Sequence, residues 1–204
     1  SSLKRSIEEN MAVAKQGYEM AAARRGAFRI TILKNSLKPL MSGNEAIALG
    51  AVKAGMKLYV AYPMTPSSSI LHYLAANADG LKMVTVHPEN EIAVIGMAEG
   101  AAYAGIRSMV GTSGGGFALM VEHLSLAGQA EIPIVIYLGQ RPGPSTGVPT
   151  YTAQGELFFA MFAGHGEFPK IVVAPGDPEQ AFHLTAEAMN LAWKFQVPVI
   201  VLGD

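Results

Sequence analysis

Hydrophobic residues along the chain fall into short runs that alternate with longer amphipathic segments. The runs are rich in valine and isoleucine, which is typical of strands buried on both faces of a parallel sheet. They read KLYVAY, KMVTVH, RSMVGT, IPIVIYL, KIVVA and VPVIVLGD. Between them the pattern predicts helices over residues 44–54, 70–76, 90–104, 117–127 and 178–194. This alternation predicts an α/β fold, a mostly parallel sheet of about six strands with helices on both faces.

The first part of the chain follows a different pattern. Residues 3–26 carry apolar side chains at helical spacing, which predicts one amphipathic helix. The stretch RRGAFRITILKNSLKPL then loses this periodicity up to Pro39, so we expect a linker or an extended arm. The sequence therefore predicts an N-terminal helix and linker in residues 1–41 and a separate domain in residues 42–204.

Composition narrows the choice of partners. The chain has 204 residues, with 15 basic and 16 acidic side chains and a net charge of -1, which argues against nucleic acid or an anionic membrane as the partner. No apolar run approaches the roughly 20 residues that cross a bilayer, and no signal-peptide core is visible, so we expect a cytoplasmic location. Because the chain has no cysteine, it supplies no thiolate nucleophile and no cysteine ligand for an iron–sulfur cluster.

Side chains that could bind a ligand or take part in catalysis follow the predicted strands. In VAYPMTPSSSI, Pro63 and Pro66 flank Thr65 where a strand ends. Ligands in open α/β sheets bind beyond the carboxyl ends of the strands, so the two prolines could aim this hydroxyl at a ligand. Alternatively, the segment is a strand-to-helix turn in which the serines at 67–69 cap the next helix. The residues alone leave both interpretations open.

Two further loops carry candidate binding groups. In GTSGGGFALM, the backbone N–H groups of Gly114–Gly116 could cradle an anion, although the lysine of a P-loop and the spacing of a dinucleotide fingerprint are missing. Tight packing is the competing interpretation. In GQRPGPSTGVPTYTAQGEL, the stiff loop around Arg141 suits bidentate capture of a carboxylate. The alternative is a surface arginine whose stem packs on the sheet.

A third candidate is Glu91, which starts the almost wholly apolar helix of HPENEIAVIGMAEGAAYAG. It is either an N-terminal charge favoured by the helix dipole or a carboxylate held in a dry pocket, where burial disfavours the charged form. We expect Glu89 and Glu99 to be ordinary solvated acids. The five histidines show no metal-ligand spacing, so no metal site is predicted in this chain.

Six segments, in chain order, resemble the thiamine diphosphate pyrimidine-binding domain of 2-oxoacid:ferredoxin oxidoreductases of the pyruvate or 2-oxoglutarate type, in the alpha-type subunit. They read GNEAIALGAVKAG, YPMTPSS, ENEIAVIGMAEGAAYAG, GTSGGGFALMVEHLSLA, EIPIVIYLGQRPGPSTGVPTYTAQGEL and PGDPEQAF. The resemblance covers residues 42–204 and departs at Met64, where the family commonly has isoleucine. Residues 1–30 resemble the closing helix of a gamma-type domain that some members fuse ahead of the alpha region.

The resemblance implies which residues form the site. Thr65 would contact the carboxylate of the 2-oxoacid, and Arg141 would be the charged partner of that carboxylate. Glu91 would be the catalytic residue that bonds the aminopyrimidine ring of thiamine diphosphate, with Tyr62 and Pro63 as further cofactor-binding residues. The implied reaction is the oxidative decarboxylation of a 2-oxoacid to acyl-CoA, with electrons passed to ferredoxin.

The resemblance also implies a partner subunit. Thiamine enzymes hold the diphosphate and Mg²⁺ through a second domain with a Gly-Asp-Gly start, and no such triplet occurs here. We therefore expect a beta-type subunit to carry the diphosphate and Mg²⁺ site and, since this chain lacks cysteine, the iron–sulfur cluster. We also expect a dimer of this chain within the hetero-oligomer, with the helix from Glu91 and the Gly114–Gly116 turn at subunit interfaces.

Two other functions remain open from the sequence. The chain could be the pyrimidine-domain subunit of a non-oxidative thiamine diphosphate decarboxylase or a transketolase-like enzyme, which has less need for the pair of Thr65 and Arg141. It could also be a non-catalytic assembly subunit that uses its glycine-rich surfaces only for docking. Docking alone does not require Glu91, Thr65 and Arg141 together.

Overall fold

The computed structural model describes residues 6–22 and 39–204, and the chain divides into two compact units, Ser1–Pro39 and Leu40–Asp204. In the first unit, helix α1 spans Ile7–Ala21, and every residue in it is exposed. This confirms the central part of the helix predicted over residues 3–26. The ends of that prediction, and most of the predicted linker, lie outside the described residues.

The second unit is built on a parallel sheet. Its strands are β1 (Leu58–Ala61), β2 (Val84–Val86), β3 (Ser108–Ser113), β4 (Val135–Gly139), β5 (Ile171–Val173) and β6 (Val199–Gly203). They lie in the order β2-β1-β3-β4-β6-β5, and each neighbouring pair is parallel. The six predicted strands and their parallel arrangement are confirmed. The valine and isoleucine runs form them because both faces of the sheet are covered.

Helices connect these strands. They are α2 (Gly43–Lys53), α3 (Ser68–Leu81), α4 (Glu91–Tyr103), α5 (Gly114–Leu119), α6 (Val121–Gln129), α7 (Leu157–Phe162) and α8 (Pro178–Phe195). The single helix predicted over residues 117–127 is wrong, because the chain breaks at the buried Met120 into α5 and α6. Helix α7 was not predicted, since its short apolar run has no capping residue beside it. Among the described helices, none is both long and apolar enough to cross a membrane.

Local capping fixes where the helices begin. Helix α2 starts with a capping box, in which Ser42 Oγ accepts from the Glu45 backbone N–H at 3.3 Å and Glu45 Oε2 accepts from the Ser42 N–H at 2.7 Å. At its other end, Gly55 follows with φ +89°, a conformation that glycine adopts without steric cost. Asn90 Oδ1 accepts from the Ala93 N–H at 2.9 Å and so sets the start of α4, which places the adjacent Glu91.

Two hydrophobic cores fill the space between the sheet and its helices. One face carries α2, α3 and α8, packed on strand residues such as Tyr59 and Tyr137. The other face carries α4 to α7, packed on strand residues such as Val60 and Ile136. Tyr59 and Val60 are neighbours in β1 and point to opposite cores, as the two-residue period of a strand requires. The prediction of helices on both faces is therefore confirmed.

The contact between α2 and α8 generates a stability prediction. A Cβ at Gly50 would overlap the backbone carbonyl of Phe182, which cannot move without separating the two helices. We expect Gly50→Ala to lower the free energy of unfolding by about 1–3 kcal/mol, measured by urea denaturation. The matched control is Gly80→Ala in α3, where a Cβ meets nothing within 4 Å. That exchange should leave stability unchanged or raise it by about 0.5–1 kcal/mol. Equal stabilities for the two variants would contradict this close helix approach.

Candidate active site

Three adjacent strands end at one edge of the sheet and carry the candidate residues. The order β1-β3-β4 is continuous in the sheet, and all three strands run in the same direction. The segments that follow them hold Thr65, the glycine turn Gly114–Gly116, which is the first turn of α5, and Arg141. Because ligands of open α/β sheets bind beyond the carboxyl ends of the strands, this edge is the candidate active site.

Thr65 and Arg141 are in contact. Arg141 Nη1 donates a hydrogen bond of 2.6 Å to the backbone carbonyl of Thr65, although the two residues are 76 positions apart. Arg141 is only 8% exposed, so the alternative of a surface arginine is wrong. Thr65 is exposed and precedes a cis peptide bond to Pro66. The two residues that the sequence proposed for a substrate carboxylate therefore lie together.

A polar network that sequence reasoning missed supports this turn. Asn44, at the start of α2, donates from Nδ2 to the Pro66 carbonyl at 2.9 Å and to Ser69 Oγ at 2.6 Å. The Tyr137 hydroxyl donates to Asn44 Oδ1 at 2.9 Å. These bonds connect α2, β4 and the loop after β1. Because the partners are far apart in the chain, no local pattern indicates them.

The serines after the turn do not cap α3 as one interpretation expected. Ser67 occupies the N-cap position, but its side chain makes no capping hydrogen bond. Its hydroxyl instead donates to the Met64 carbonyl at 2.7 Å, inside the turn. Ser67 is 1% exposed, so this bond is shielded from water. The segment therefore stabilises the conformation around Thr65 rather than the helix that follows.

Arg141 lines a cavity of about 470 Å³, a size that suits a small molecule. The lining residues are Met64, Ser113, Gly114, Gly115, Ala118, Arg141, Pro142, Gly143, Pro144, Ser145, Thr146, Glu156 and Phe159. Among these described residues, Arg141 and Glu156 are the ionisable ones. The cavity therefore combines an apolar floor with one cation, one carboxylic acid and several hydroxyl groups.

Glu91 is buried rather than solvated. It is 4% exposed at the first position of α4, and its Oε1 has no hydrogen-bond partner within the described chain. A buried carboxylate oxygen without a partner costs free energy, so such an atom in a folded protein requires an explanation. The burial favours the dry-pocket interpretation of Glu91. A ligand that presents an N–H group would satisfy this oxygen.

The glycine turn makes room for two carboxylates. A Cβ at Gly116 would come within 2.7 Å of Glu91 Oε1, and a Cβ at Gly114 would come within 2.8 Å of Glu156 Oε1. At Gly115, by contrast, the nearest atom is 4.0 Å away. Each added Cβ would displace a carboxyl group, so the competing interpretation, tight packing, explains why glycine stands at positions 114 and 116.

Tyr62 and Pro63 lie outside the cavity. Both are exposed, and the Tyr62 ring meets the His87 ring edge-on with centroids 5.6 Å apart. Neither residue is among those that line the cavity around Arg141. The structure therefore places these two predicted cofactor-binding residues beside the turn but does not bring them into contact with Arg141.

Glu156 is a site residue that sequence reasoning missed. Its backbone N–H donates to Gln140 Oε1 at 3.1 Å, while its side-chain Oε2 is buried without a hydrogen-bond partner among the described residues. Burial raises the pKa of the Glu156 carboxyl, and a hydrogen bond from its own backbone N–H and the positive charge of Arg141 offset part of this rise. A sequence signal was present, because Glu156 is the only acid between Gln140 and Leu157.

Glu99 contradicts the expectation of a solvated acid. It is 3% exposed, and its Oε2 lies 2.7 Å from His123 Nδ1, which joins α4 to α6. Burial raises the pKa of Glu99 to about 7, and the hydrogen bond with His123 limits the rise. The helix pattern could not reveal this pairing, because His123 lies 24 residues further along the chain. Within residues 6–22 and 39–204, no group of three or more metal-binding side chains is clustered.

The doubly covered parallel sheet, with a polar cavity at the carboxyl ends of its strands, defines an α/β ligand-binding domain. The family described as "Pyruvate flavodoxin/ferredoxin oxidoreductase, thiamine diP-bdg" matches residues 49–204, and the chain belongs to this family. The fold is therefore that of a thiamine diphosphate-binding domain, which confirms the resemblance noted in the sequence.

Several named proteins are similar to the chain. The alpha subunit of 2-oxoacid:ferredoxin oxidoreductase 1 from Sulfurisphaera tokodaii is 48% identical over 176 residues, covering 80% of this chain and 28% of that protein. The 2-oxoglutarate synthase subunit KorA from Archaeoglobus fulgidus is 43% identical over 165 residues, covering 81% of this chain and 48% of that protein. The chain therefore spans less than half of the length of these relatives.

A solved structure agrees with the fold. The 2-oxoglutarate:ferredoxin oxidoreductase from Magnetococcus marinus, with 2-oxoglutarate, coenzyme A and succinyl-CoA bound, superposes with a TM-score of 0.81 and 36% sequence identity. The match covers 98% of this chain and 36% of that one.

The buried Glu99 generates a prediction about pH. Its pKa rises from 4.5 to about 7 in the folded chain, so the folded state holds the proton more tightly than the unfolded state. The stability from this proton is complete below the unfolded pKa and is lost as pH rises through the folded pKa. Relative to Glu99→Gln, the wild-type chain should lose on the order of 1–3 kcal/mol of unfolding free energy across this range.

Urea denaturation at a series of pH values measures this loss. The control is Glu89→Gln, since Glu89 is exposed in the loop before α4. This control should follow the wild-type pH profile. If Glu99→Gln also followed it, the carboxyl of Glu99 would not be held protonated by burial.

Proposed function

We propose that this chain is the alpha-type part of a 2-oxoacid:ferredoxin oxidoreductase, which converts a 2-oxoacid to acyl-CoA and CO₂ and passes the electrons to ferredoxin. The observation that carries the proposal is the hydrogen bond from Arg141, which lines a small cavity, to the Thr65 carbonyl, together with the unpaired Glu91 oxygen beside Gly116, two residues from the cavity-lining Gly114. A carboxylate site and a site for an N–H group thus lie next to each other. The names of the relatives support the same reaction.

Arg141 is proposed to bind the substrate carboxylate. A guanidinium group has five N–H donors, and the bond to the Thr65 carbonyl uses one of them. The remaining donors can pair with both oxygens of a carboxylate. The hydroxyl of the exposed Thr65 would supply a further, neutral donor. The network through Asn44 and Pro66 would hold this hydroxyl in place.

Glu91 is proposed to bind the aminopyrimidine ring of thiamine diphosphate. Its buried and unpaired Oε1 fits a protonated ring nitrogen, because that N–H would supply the missing hydrogen bond. Thiamine diphosphate supplies the electron sink that decarboxylation of a 2-oxoacid needs. The role of Glu91 would be to hold a proton at the ring nitrogen in a site shielded from water. Tyr62, whose ring meets His87, and the adjacent Pro63 are proposed to border the ring.

A beta-type partner is proposed to complete the site. The sequence contains neither cysteine nor a Gly-Asp-Gly triplet, so the partner would hold the diphosphate, the Mg²⁺ ion and the iron–sulfur cluster. Ferredoxin and coenzyme A would be the further partners, and the complex would be cytoplasmic. Relatives named as alpha subunits support a hetero-oligomer. The first 41 residues are proposed to be the end of a fused gamma-type domain.

The exposed side of α4 to α6 supports a subunit interface. It presents large apolar side chains to solvent, at 42–79% exposure. They are Ile92, Met97, Tyr103, Leu119 and Leu126. Apolar groups in such number on neighbouring helices are typical of surfaces that another protein covers. We propose that the partner subunit and a second copy of this chain contact this side.

The function is tested by co-expressing the chain with its beta-type partner and assaying the purified complex. We expect the complex to be brown, because the partner would carry an iron–sulfur cluster. It should reduce ferredoxin only when a 2-oxoacid and coenzyme A are both present. The isolated chain should bind thiamine diphosphate and Mg²⁺ weakly or not at all in calorimetric titration. Stoichiometric tight binding by the chain alone would contradict the proposal of a shared site.

Kinetics of the complex should separate the carboxylate-binding residues from the cofactor-binding residue. Arg141→Met removes the cation and should raise KM for the 2-oxoacid by the equivalent of about 2–5 kcal/mol. Thr65→Val removes a neutral donor and should raise KM for the 2-oxoacid by the equivalent of about 1–2 kcal/mol. Glu91→Gln keeps the shape of the side chain but should lower kcat at saturating 2-oxoacid.

A second measurement isolates the role of Glu91. Exchange of the proton on the reactive thiazolium carbon, followed by NMR, should slow in Glu91→Gln and stay normal in Arg141→Met. Near-normal exchange in Glu91→Gln would exclude the proposed role of Glu91. An unchanged KM in Arg141→Met would exclude carboxylate binding by Arg141.

A further inference from the structure

Neither the resemblance nor the comparisons assign a role to Glu156, although it shares a cavity with Arg141. Its Oε1 lies against Gly114, and its Oε2 is buried without a hydrogen-bond partner. Its backbone N–H is bound to Gln140 Oε1, which fixes the start of α7 at this cavity. A buried carboxylate oxygen without a partner among the described residues calls for an explanation, and Glu156 Oε2 is such an atom.

The charges of the cavity change when a 2-oxoacid enters. Arg141 and Glu156 are the ionisable residues among the described lining, and together they are neutral when both are charged. Asp204, which follows β6, accepts from Gln154 Nε2 at 2.8 Å and does not line the cavity. An incoming carboxylate therefore places two anions beside one cation.

Two carboxylates in one poorly solvated site share a proton, because their mutual repulsion raises the proton affinity of one of them. The carboxyl group of a 2-oxoacid is a stronger acid than that of glutamate, since the neighbouring carbonyl withdraws electrons. The shared proton should therefore reside on Glu156. A protonated Glu156 has an O–H group that can donate to the substrate carboxylate.

We propose that Glu156 binds the 2-oxoacid as a neutral carboxylic acid, taking up one proton from solvent as the substrate enters and donating a hydrogen bond to its carboxylate. This inference rests on the proposed function and adds a third donor to Arg141 and Thr65. It explains why Oε2 has no partner in the free chain. It also explains the need for glycine at position 114, where any Cβ would displace the carboxyl group.

The test compares pH profiles of the assembled complex. In the wild type, KM for pyruvate should rise with pH, by up to about tenfold per pH unit above the pKa of Glu156, whereas kcat should not follow it. Burial raises the pKa of Glu156, so the rise should begin above the ordinary range of a glutamate. In Glu156→Gln, the amide donates without titrating, so KM should stay flat and fall below the wild-type value at high pH.

Two further variants complete the design. Glu156→Ala should also give a flat KM, but a higher one than Glu156→Gln, because it offers no donor. Glu187→Gln is the control, since Glu187 is exposed on α8 at the opposite face of the sheet. It should keep the wild-type profile.

Proton uptake gives a readout that does not depend on turnover. Binding of oxamate, an unreactive mimic of pyruvate, is measured by calorimetry in two buffers that differ in ionisation enthalpy. The wild-type complex should take up close to one proton per oxamate at high pH, and Glu156→Gln should take up none.

The outcomes separate this inference from the function on which it rests. If the wild-type complex turned over no 2-oxoacid, the proposed function and this inference would both fail. If it turned over pyruvate but shared its KM profile and proton uptake with Glu156→Gln, only the role of Glu156 would be wrong. Equal KM values for Glu156→Gln and Glu156→Ala would also overturn it, because no hydrogen bond would then be donated.

Discussion

The parallel pairing of β1, β3 and β4 is the constraint on which the candidate site depends. Because these strands are neighbours and run in one direction, three loops that are distant in sequence leave the sheet at the same edge. The hydrogen bond from Arg141 to the Thr65 carbonyl then joins the first loop to the third. The glycine turn follows β3, which lies between β1 and β4 in the sheet. The register of the sheet thus determines the spacing of the functional groups.

The glycine turn lies beside both the residue proposed to bind the cofactor ring and the residue proposed to bind the substrate carboxylate. Glu91 packs against Gly116, and Glu156 packs against Gly114, two residues away. Each carboxylate has a buried oxygen without a partner in the described chain. Unpaired buried oxygens destabilise the free protein, and a folded chain keeps them only where something else satisfies them. The proposed ligands, a protonated ring nitrogen and a substrate carboxylate, would each satisfy one of them.

Much of the fold could be predicted from the sequence because its signals are local. The six strands follow from valine and isoleucine runs, and helix starts such as Asn90 follow from capping residues. Local context also singled out three site residues. Thr65 lies between two prolines, Arg141 lies in a stiff loop, and Glu91 starts an apolar helix. Glu99 and Asn44 could not be assigned in this way. Their roles depend on partners contributed by other elements, and no local pattern records which helix faces will meet.

The contrast between Glu99 and Glu156 shows why burial alone does not identify a functional carboxylate. Both have raised pKa values caused by burial, and both keep one oxygen without a partner. Glu99, however, pairs with His123 between two helices and lies outside the cavity lining, so its proton affects the stability of the fold. Glu156 faces a cation inside a cavity of substrate size, so its proton is available to a ligand. Position relative to the sheet edge, rather than the extent of the pKa shift, separates the two roles.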